Sequence, residues 1–429
     1  MSAEKLRILL VGNGGREHAL AWKLSQSSRV EHIYVCPGNG GTAGVQNVTN
    51  VQDVSAEDFS ALVSFAKQNN INFLVPGPEA PLVAGIVDHF QQNAPEIKCF
   101  GPSKAAATME GSKTFSKNFM KRHNIPTAAY ENFDNYDAAK KYLDSVDHDI
   151  VIKADGLAAG KGVIIPQTKE EATAALKDIM LDKEFGAAGN KIVIEEFLSG
   201  EECSILSFSD GNTIRSLPAA QDHKQIGDGD TGPMTGGMGT YAPAWTVKEK
   251  DMEEIDRTVL KPTIKGMSEE GFPFVGCLFT GFMMTKQGPR VLEYNVRFGD
   301  PEVQSLFPLL DSDLAEVLMA CATGSLDKVE LKISNSSAAT VILASGGYPG
   351  SYKKGIEMNI KPAPENVIFF HAGTTLSGET LKTSGGRVIA STGIASNLGD
   401  AIAKAYEGVE HIKFEGKLYR KDIGHRAFR

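Results

Sequence analysis

The residues best suited to chemistry lie in the segment VLEYNVRFGDPE, at positions 291–302. Because alternate residues of a β-strand face the same side, Glu293, Asn295 and Arg297 should point together into one site. Magnesium takes one or two carboxylates and completes its shell with phosphate oxygens and water, so a Glu-x-Asn pair beside a cation indicates a magnesium and phosphate site. The alternative is a polar strand face towards solvent, which the apolar flanks and the specific FGDP turn disfavour.

Two lysines flank a glycine-rich loop nearer the amino terminus. Lys153 ends an apolar, β-branched strand, and Lys161 lies in the following loop ADGLAAGKG. The loop is not a Walker A motif, since too few residues separate its first two glycines and a glycine follows the lysine. The pattern indicates another way of holding a triphosphate. A solvated surface hairpin is the alternative, although a charge at the end of an apolar strand is rarely idle.

A second apolar strand, in IVIEEFL at positions 192–198, ends in two acidic residues, Glu195 and Glu196, and Glu202 follows shortly after. A strand edge of this kind could bind adenine through its backbone and ribose through Glu202. Acidic residues at the end of a strand are more often simply solvated, so this segment alone is a weak indication.

The segment GNGGR, at positions 12–16, opens the first predicted helix. Backbone N–H groups and the helix dipole can hold a phosphate there, and Arg16 can add a charged fork. Dinucleotide binding is disfavoured, because Glu17 replaces the third glycine of the fingerprint and the second strand ends in Cys36-Pro37 instead of an acid. A tight strand-to-helix turn without a ligand is the alternative.

These segments need a scaffold, and the amino-terminal part predicts an open parallel α/β sheet of the Rossmann-like kind. Its strands lie in LRILLVG, HIYVCPG, NFLVPGPE and KCFGPS. Ligands of such sheets bind at the carboxyl ends of the strands, where the loops GNGG, PGNGG and PGPEAP all fall. A proline shortly after the helix SKTFSKNFMKRH favours a boundary near residue 123.

The rest of the chain is predicted to form a small α+β unit, a mixed region and a separate β-rich carboxyl-terminal domain. The small unit extends through KIVIEEF, and the texture changes again after Lys328. In the mixed region, the run QIGDGDTGPMTGGMGTYAP is too long for a hairpin and is predicted to be a loop that covers a substrate. The predicted fold class is therefore α/β and α+β multidomain.

Composition limits the class of protein. The chain has 429 residues, 41% hydrophobic and 23% charged, so it should fold into about three domains. A formal net charge of -9 disfavours nucleic acid and anionic membranes as partners. Five cysteines without a CxxC pair indicate a reducing, cytoplasmic environment. No signal peptide and no apolar run long enough to cross a membrane is expected.

Taken in order, these segments resemble the glycinamide ribonucleotide synthetase family of the ATP-grasp superfamily. The resemblance covers essentially the whole chain and is carried by GNGGREHALAWKL, PGNGGT, GPEAPL, GSKTFSKNFM with IPTA, KADGLAAGKGV, IVIEEFLSGEE, DHKQIGDGDTGP with TGGMGTYAPA, EYNVRFGDPE and YRKDIGHRA. It implies an ATP-grasp fold in four parts: an amino-terminal phosphoribosylamine-binding domain (1–122), a lid (123–191), a central subdomain (192–327) and a carboxyl-terminal domain (328–429).

The resemblance also implies roles for individual residues. ATP would be bound or covered by Lys113, Lys153, Lys161, Glu195, Glu196, Phe197, Leu198 and Glu202. The substrates glycine and 5-phosphoribosylamine would lie near Gly14, Gly15, Arg16, Glu17, Asn39, Gly40, Pro78, Glu79, Asp222, Gly237 and Arg297. Glu293 and Asn295 match magnesium ligands, with manganese as an alternative metal. Arg297 would lie beside the transferring phosphoryl group or the glycine carboxylate, and Asp222 and His223 are candidates for accepting the proton of the amine.

The implied reaction is attack of the glycine carboxylate on the γ-phosphate of ATP, followed by attack of the amine on glycyl phosphate to give glycinamide ribonucleotide, ADP and phosphate. One rival is an ATP-grasp ligase with another carboxylate or amine, which GNGGREH and PGPEAPL disfavour. A second rival is a nucleotide-binding regulator without turnover, which would not need both Glu293 and Asn295.

Two further expectations follow from the resemblance. Members of the family occur alone and as the first part of longer purine-pathway polypeptides, so the chain could be fused to another purine-pathway enzyme. Where members generally have GPNTGGMG, this chain has Met234, which cannot make the hydrogen bonds of an amide. A polar contact at that position is therefore in doubt.

Overall fold

Apolar runs near the amino terminus form an open parallel sheet in a computed structural model that describes residues 4–156, 162–182 and 186–428. The strands are β1 (Leu6–Gly12), β2 (Val30–Pro37), β3 (Val48–Asn50), β4 (Phe73–Pro76) and β5 (Lys98–Cys99), in the spatial order β3-β2-β1-β4-β5. The helices of this part are α1 (Gly15–Leu24), α2 (Phe59–Gln68), α3 (Glu79–Ala84), α4 (Ile86–Asn93), α5 (Lys104–Gly111) and α6 (Lys113–Arg122). The predicted Rossmann-like sheet is confirmed, and the continuous apolar sequence of β1 explains its central, buried position.

Short polar side chains fix the starts of two helices that bear on the site. Ser112 accepts a hydrogen bond from Phe115 N at 3.1 Å at the start of α6, and Ser103 accepts one from Ala106 N at 3.2 Å at the start of α5. Such caps satisfy amides that have no partner within the helix. The cap on α6 sets Lys113 at the first position of that helix.

The region after residue 123 contains a four-stranded antiparallel sheet, in the order β6-β9-β7-β8, covered by two helices. The elements are β6 (Tyr130–Phe133), α7 (Tyr136–Ser145), β7 (Ile150–Ala154), β8 (Val163–Ile164), α8 (Lys169–Met180) and β9 (Ile192–Glu196). Leu143, Ile152, Leu176 and Ile194 belong to an apolar cluster of its own, separate from the two clusters of the remaining chain. We call this unit the lid.

The middle of the chain carries the sheet on which Glu293 lies. Its strands are β10 (Glu201–Asp210), β11 (Ile214–Ser216), β12 (Gln221–Asp222), β13 (Gln225–Gly227), β14 (Thr231–Met234), β15 (Gly239–Ala242), β16 (Val275–Thr285) and β17 (Gly288–Asn295). The helices are α9 (Glu249–Ile255), α10 (Lys261–Glu269), α11 (Glu302–Leu306) and α12 (Leu314–Thr323). Four of these strands form the sheet β11-β10-β16-β17. Within the described ranges, no helix combines the length and the apolarity needed to cross a membrane.

The carboxyl-terminal sheet takes strands from both sides of the predicted boundary at residue 328. The last elements are β18 (Ser337–Ala344), β19 (Asn359–Ile360), β20 (Val367–His371), β21 (Thr374–Ser377), β22 (Thr380–Thr383), β23 (Arg387–Ala395), α13 (Leu398–Glu410) and β24 (Ile412–Lys413). The sheet order is β12-β15-β18-β23-β20, so two strands from before the boundary continue the sheet formed after it.

The glycine-rich run that follows β12 contains a short hairpin, in which β13 and β14 pair with Gln225 opposite Met234. The prediction that this run is too long for a hairpin is therefore wrong. The turn closes because Gly229, Asp230 and Gly232 adopt positive φ values of 69°, 57° and 79°. Glycine adopts such angles without strain, and aspartate tolerates them better than most residues.

Two neutral histidines join the first helix to the carboxyl-terminal sheet. His371 N donates a hydrogen bond to His18 Nδ1 at 2.8 Å. Burial, and secondarily the neighbouring His371, lowers the pKa of His18 to about 3, and burial lowers the pKa of His371 to about 4. In the unfolded chain both groups would titrate near about 6.5. Between these values the unfolded chain binds protons that the folded chain does not.

The contribution of His18 and His371 to the free energy of unfolding is therefore expected to be fully present above about pH 6.5 and to decrease as the pH falls towards about 4. His18→Gln keeps a hydrogen-bond acceptor but cannot be protonated. In this variant the unfolding temperature should therefore change less with pH in that window. Thermal unfolding at a series of pH values measures the slope, with exposed His148→Gln as the control. Equal slopes for both variants and the original chain would contradict the role of this pair.

Candidate active site

Glu293 lies on β17, and the neighbouring strand gives its side chain room. It is opposite Gly281, where a Cβ atom would lie 3.5 Å from Glu293 Cγ. Burial alone would raise the pKa of this carboxyl group, but four cationic side chains outweigh burial and lower the pKa: Lys224, Lys153, Lys113 and Arg297. The half-buried Glu293 is thus an ionised carboxylate that faces several cations, which would also attract phosphate groups.

Arg297 follows the end of β17 and connects it to two helices. Its Nη2 donates to Asn295 Oδ1 at 3.1 Å and lies 3.2 Å from Glu110 Oε1, and its Nε lies 3.3 Å from Glu79 Oε2. Burial, partly opposed by Arg297, raises the pKa of Glu110. The structure therefore brings together the predicted residues Asn295, Arg297 and Glu79. Glu110, at the end of α5, is an addition that no sequence pattern indicated.

A buried carboxylate bridges two buried lysines beside this cluster. Glu195 Oε1 lies 3.0 Å from Lys153 Nζ, and Glu195 Oε2 lies 2.9 Å from Lys117 Nζ. Lys153 Nζ also donates to Leu292 O at 3.1 Å, which ties the lid to β17. Burial lowers the pKa of Lys117 to about 8, although Glu195 opposes this shift. Because both carboxylate oxygens are paired, the side chain of Glu195 is not free to contact adenine.

Sequence reasoning missed Lys117, although one signal was available. It lies four residues after Lys113 on α6, so both lysines project from the same face of the helix. Lys113 Nζ donates to Gly156 O at 3.1 Å, and Lys117 Nζ donates to Thr127 Oγ1 at 2.7 Å. Lys161, which was also predicted to cover the phosphates, lies outside the described residues.

The residues predicted near adenine and ribose lie at the edge of the lid and at the start of β10. Glu196 is exposed, the Phe197 side chain is 38% exposed, and Leu198 is half-buried. Glu202 Oε2 lies 3.5 Å from Lys224 Nζ. The mutual attraction of Lys224 and Glu202, stronger than the opposing effect of burial, raises the pKa of Lys224 above its ordinary value. Lys224 thus interacts electrostatically with both Glu202, predicted at the ribose, and Glu293.

The start of α1 is already occupied by carboxylates. Gly14 N donates to Glu17 Oε2 at 2.6 Å, and Arg16 N donates to Asp300 Oδ2 at 3.2 Å. Arg16 Nε donates to Glu17 Oε1 at 2.5 Å, and its Nη1 donates to Phe298 O. This arrangement differs from the expected anion site with a free arginine fork, because the guanidinium group is buried against Glu17.

Three other predicted residues hold loops in place. Asn39 is buried and donates through Nδ2 to Asn13 O, Gly14 O and His371 O, while its Oδ1 accepts from the amides of the following loop. Gly40 N donates to Thr374 O at 3.1 Å. Pro78 precedes α3 and places Glu79 at its first position. The three glycine and proline loops therefore lie at the carboxyl ends of the parallel strands, and Asn39 joins the loops that follow β1 and β2.

Arg387, on β23, fixes the glycine-rich segment over the site, and sequence reasoning missed it for want of any local motif. Its Nη1 donates to Gly236 O at 2.6 Å and to Asp300 O at 2.8 Å. A Cβ atom on Gly237, which has a φ of 113°, would lie 2.7 Å from Asp222 Oδ1. Burial, and secondarily Glu302, raises the pKa of Asp222 well above its ordinary value. Asp222 and Gly237, both predicted to contact substrates, thus lie next to each other.

His223 does not fit the predicted role of proton acceptor. Gly424 N donates to its Nε2 at 3.0 Å, and its Nδ1 lies 3.1 Å from Gly239 O. The residue is fully buried, and burial, with Arg420 and Arg426 as further causes, lowers its pKa to about 3. Because both ring nitrogens have backbone partners, the imidazole has no lone pair for a substrate.

Met234 lies on β14, where its side chain is 47% exposed. The other residues of β14 are exposed as well, so the methionine side chain does not replace a buried polar contact within this strand. No group of three or more His, Cys, Asp or Glu side chains is arranged for a metal ion within residues 4–156, 162–182 and 186–428. A metal ion near Glu293 and Asn295 would therefore rely on phosphate oxygens and water for the rest of its shell.

The fold and the cationic cluster around Glu293 define an ATP-grasp protein. A family model described as the phosphoribosylglycinamide synthetase ATP-grasp (A) domain matches residues 111–303, and the N and C domain models of the same family match residues 6–110 and 338–426. The chain therefore belongs to the phosphoribosylglycinamide synthetase family, which is the family that its motifs resembled. ATP-grasp proteins generally use ATP with divalent metal ions.

Individual relatives agree with this assignment. The chain is 56% identical to a bifunctional purine biosynthetic protein of Pichia angusta over 99% of its own length and 54% of the relative's. It is 48% identical to a phosphoribosylamine–glycine ligase of Agrobacterium fabrum, with 98% of the chain and 99% of that protein covered. The chain spans about half the length of the first curated relatives that it matches.

Solved structures show the same fold. A phosphoribosylamine–glycine ligase of Thermotoga maritima matches with a TM-score of 0.85 and 33% identity, over 98% of this chain and 100% of that one. A biotin carboxylase of Campylobacter jejuni matches with a TM-score of 0.73 at 15% identity, over 97% of this chain and 93% of the other, which shows a shared fold alone.

Proposed function

We propose that the chain joins glycine to 5-phosphoribosylamine with hydrolysis of ATP to ADP and phosphate, through glycyl phosphate, in de novo purine biosynthesis. The observation that carries the proposal is the convergence of four cationic side chains on Glu293, with Arg297 linking this strand to Glu79 of the amino-terminal domain. Full-length similarity to proteins named phosphoribosylamine–glycine ligase supports the same substrates.

The residues present fit a magnesium ion. Glu293 supplies a hard anionic oxygen, and Asn295 supplies an amide oxygen that already bonds Arg297. A magnesium ion held there with ATP would neutralise charge on the phosphates and orient the γ-phosphate. Manganese, which prefers similar oxygen ligands, is the alternative metal.

The protein's own side chains supply the remaining functions. Lys113, Lys153 and Lys224 surround Glu293 with positive charge suited to a triphosphate. Arg297 lies between the nucleotide side and Glu79, where it can neutralise the glycine carboxylate or the transferred phosphoryl group. Asp222 is the candidate for accepting the proton of the amine, because its raised pKa suits proton transfer better than that of an ordinary aspartate. Residues 223–239 cover this side and would exclude water from an acyl phosphate.

Phosphate release measured with single omissions of ATP, glycine, 5-phosphoribosylamine and magnesium tests the proposal. Release should require all four components, and glycinamide ribonucleotide should form in equal amount. Release that continues without glycine, or that follows another carboxylate such as bicarbonate, would favour a different ATP-grasp ligase. ATP binding without any turnover would favour a regulator.

Two parts of the proposal concern the cellular setting. We place the activity in the cytoplasm, because all five cysteines are free thiols and the relatives are metabolic enzymes. Fusion to a further purine-pathway enzyme is proposed as well, because relatives of Pichia angusta and Homo sapiens are named bifunctional and trifunctional purine biosynthetic proteins.

Arg16 offers a test of the amino-terminal domain's part in this reaction. Arg16→Ala should lower kcat/KM for 5-phosphoribosylamine by about tenfold, because Glu17 and the loop around Phe298 lose a charge-assisted partner. The KM for ATP should stay nearly unchanged. Arg29→Ala, which removes an exposed ion pair with Glu316, is the matched control. If Arg16→Ala weakened ATP instead, the nucleotide would belong in the amino-terminal domain.

A further inference from the structure

The last segment of the chain carries a motif, YRKDIGHRA, to which the proposed chemistry assigns no task. We call residues 418–428 the tail. Arg420 is its centre, because its side chain is 0% exposed and makes ion pairs with Asp422 and Asp230. Its Nη1 also donates to Gln225 O at 3.1 Å. Gln225 lies on the first strand of the glycine-rich hairpin and Asp230 lies at its turn, so a buried guanidinium group of the tail holds both the first strand and the turn.

Asp230, at the turn of the hairpin, receives further contacts from the tail. Arg426 Nη2 lies 2.7 Å from Asp230 Oδ1, and Arg426 Nε donates to Asp230 Oδ2 at 3.0 Å. His425 Nε2 lies 3.3 Å from the same Oδ2. A planar guanidinium group matched to a carboxylate in this way fixes orientation as well as distance. The turn is thus held in one position by three tail side chains.

Backbone groups complete the attachment at the tip and at the base of the hairpin. At the tip, Gly229 N donates to Asp422 Oδ2 and Lys421 N donates to Asp228 Oδ1, each at 2.8 Å. At the base, Gly424 N donates to His223 Nε2 at 3.0 Å. His223, which the structure excludes as a proton acceptor, therefore serves as an anchor for the tail.

The hairpin has little to hold it apart from the tail. All four residues of β14 are exposed, and two short strands without an apolar face are marginally stable by themselves. Yet the residues on either side of it face the site: Lys224 lies 3.5 Å from Glu202, and Gly236 O accepts from Arg387. Whatever fixes the hairpin therefore also restrains these two flanks, in addition to the contact of Arg387 with Gly236.

We propose that the tail is a positioning element for the reaction, in which Arg420 and Arg426 hold the hairpin through Asp230 so that Lys224 and Gly237 stay aligned over the bound substrates. This inference rests on the proposed function, because the substrates that the flanks would cover are those of the ligase reaction. Arg420 and Arg426 are positioning residues, since their partners belong to the hairpin and the tail, apart from the backbone oxygen of Asp222, to which Arg426 Nη1 donates at 3.5 Å.

Arg426→Ala provides the main test, because Arg426 is partly exposed and its loss should leave the protein folded. We expect kcat/KM for 5-phosphoribosylamine to fall about tenfold and backbone amides of residues 225–234 to exchange with deuterium at least about tenfold faster. Arg426→Lys should restore part of both losses, since lysine keeps the charge but not the fork. Asp228→Ala, which removes one bond at the tip, should have the same effects in a smaller degree.

Glu270→Gln is the matched control, because it removes a bidentate ion pair with Arg122 on a surface remote from the hairpin. It should change neither the kinetics nor the exchange of residues 225–234. If the tail had only a structural role, Arg426→Ala would have a lower unfolding temperature, but its kcat/KM and the exchange of residues 225–234 would equal those of the control. That result would overturn the proposal. The exchange measurement on ATP-loaded protein does not need turnover. A wrong ligase assignment would appear as absent activity in the original chain, whereas a wrong positioning role would appear as unchanged exchange in Arg426→Ala.

Discussion

Glu293→Gln is expected to lower kcat by about two to three powers of ten while the fold and most of the ATP affinity persist. The substitution keeps the size of the side chain and removes one negative charge. That charge faces Lys224, Lys153, Lys113 and Arg297, and it is the one carboxylate of the proposed magnesium site. Without it the metal ion would lose an anionic ligand, and the four cations would lose one neighbouring negative charge.

Phosphate release under saturating substrates measures this effect, with ATP affinity measured separately by calorimetry. Glu254→Gln is the matched control, since Glu254 is an exposed carboxylate beside Gly288 at the other end of the same strand. The magnesium concentration needed for half-maximal rate should rise for Glu293→Gln and stay constant for the control. Phosphate release near that of the original chain would remove Glu293 from the metal site.

Lys153→Met should raise the KM for ATP by about ten- to a hundredfold and change the KM for glycine much less. A charge-assisted contact to phosphate contributes about 1.5–3 kcal/mol, which corresponds to that range. The structure adds a second cause. Lys153 pairs with Glu195 and donates to Leu292 O, so its loss also loosens the lid from β17.

Two further variants separate these causes. Lys140→Met removes a lysine that pairs with the exposed Asp144 in the same lid and should leave both KM values unchanged. Lys117→Met removes the other partner of Glu195, but Lys117 is not among the four cations that lower the pKa of Glu293, so this variant should weaken ATP binding less than Lys153→Met does. Equal effects of Lys153→Met on ATP and glycine would contradict the nucleotide role.

The parallel sheet and the position of Glu293 could be predicted because each depends on local patterns. Buried strands such as β1 carry continuous apolar residues, and residues two apart on β17 share a face. The loops after β1, β2 and β4 could be placed at one edge, because parallel strands end on the same side. These inferences need only the order of residues along a short segment.

Contacts between distant segments could not be predicted in the same way. Arg387 contacts Asp300 and Gly236 because β23 lies in the same sheet as β15, with β18 between them, an arrangement that no local pattern reveals. The family resemblance placed Glu195 at the adenine, but no local pattern indicated that its carboxylate pairs with Lys117 and Lys153. The hairpin of β13 and β14 was missed because the length of the glycine-rich run hid the tight turn at Asp230.

The two kinds of boundary in this chain differ in how they would tolerate recombination between related genes. β15 bonds to β18 along Gly239–Ala242 in the register Gly239 to Val341, so a crossover between them would join backbones that had not been selected as neighbours in one sheet. The apolar side chains of the lid pack in a cluster of their own, so its core depends little on the sequence of the adjoining parts. Chimaeras of homologous chains should therefore remain folded when exchanged at the edges of the lid and lose stability when exchanged between residues 243 and 336.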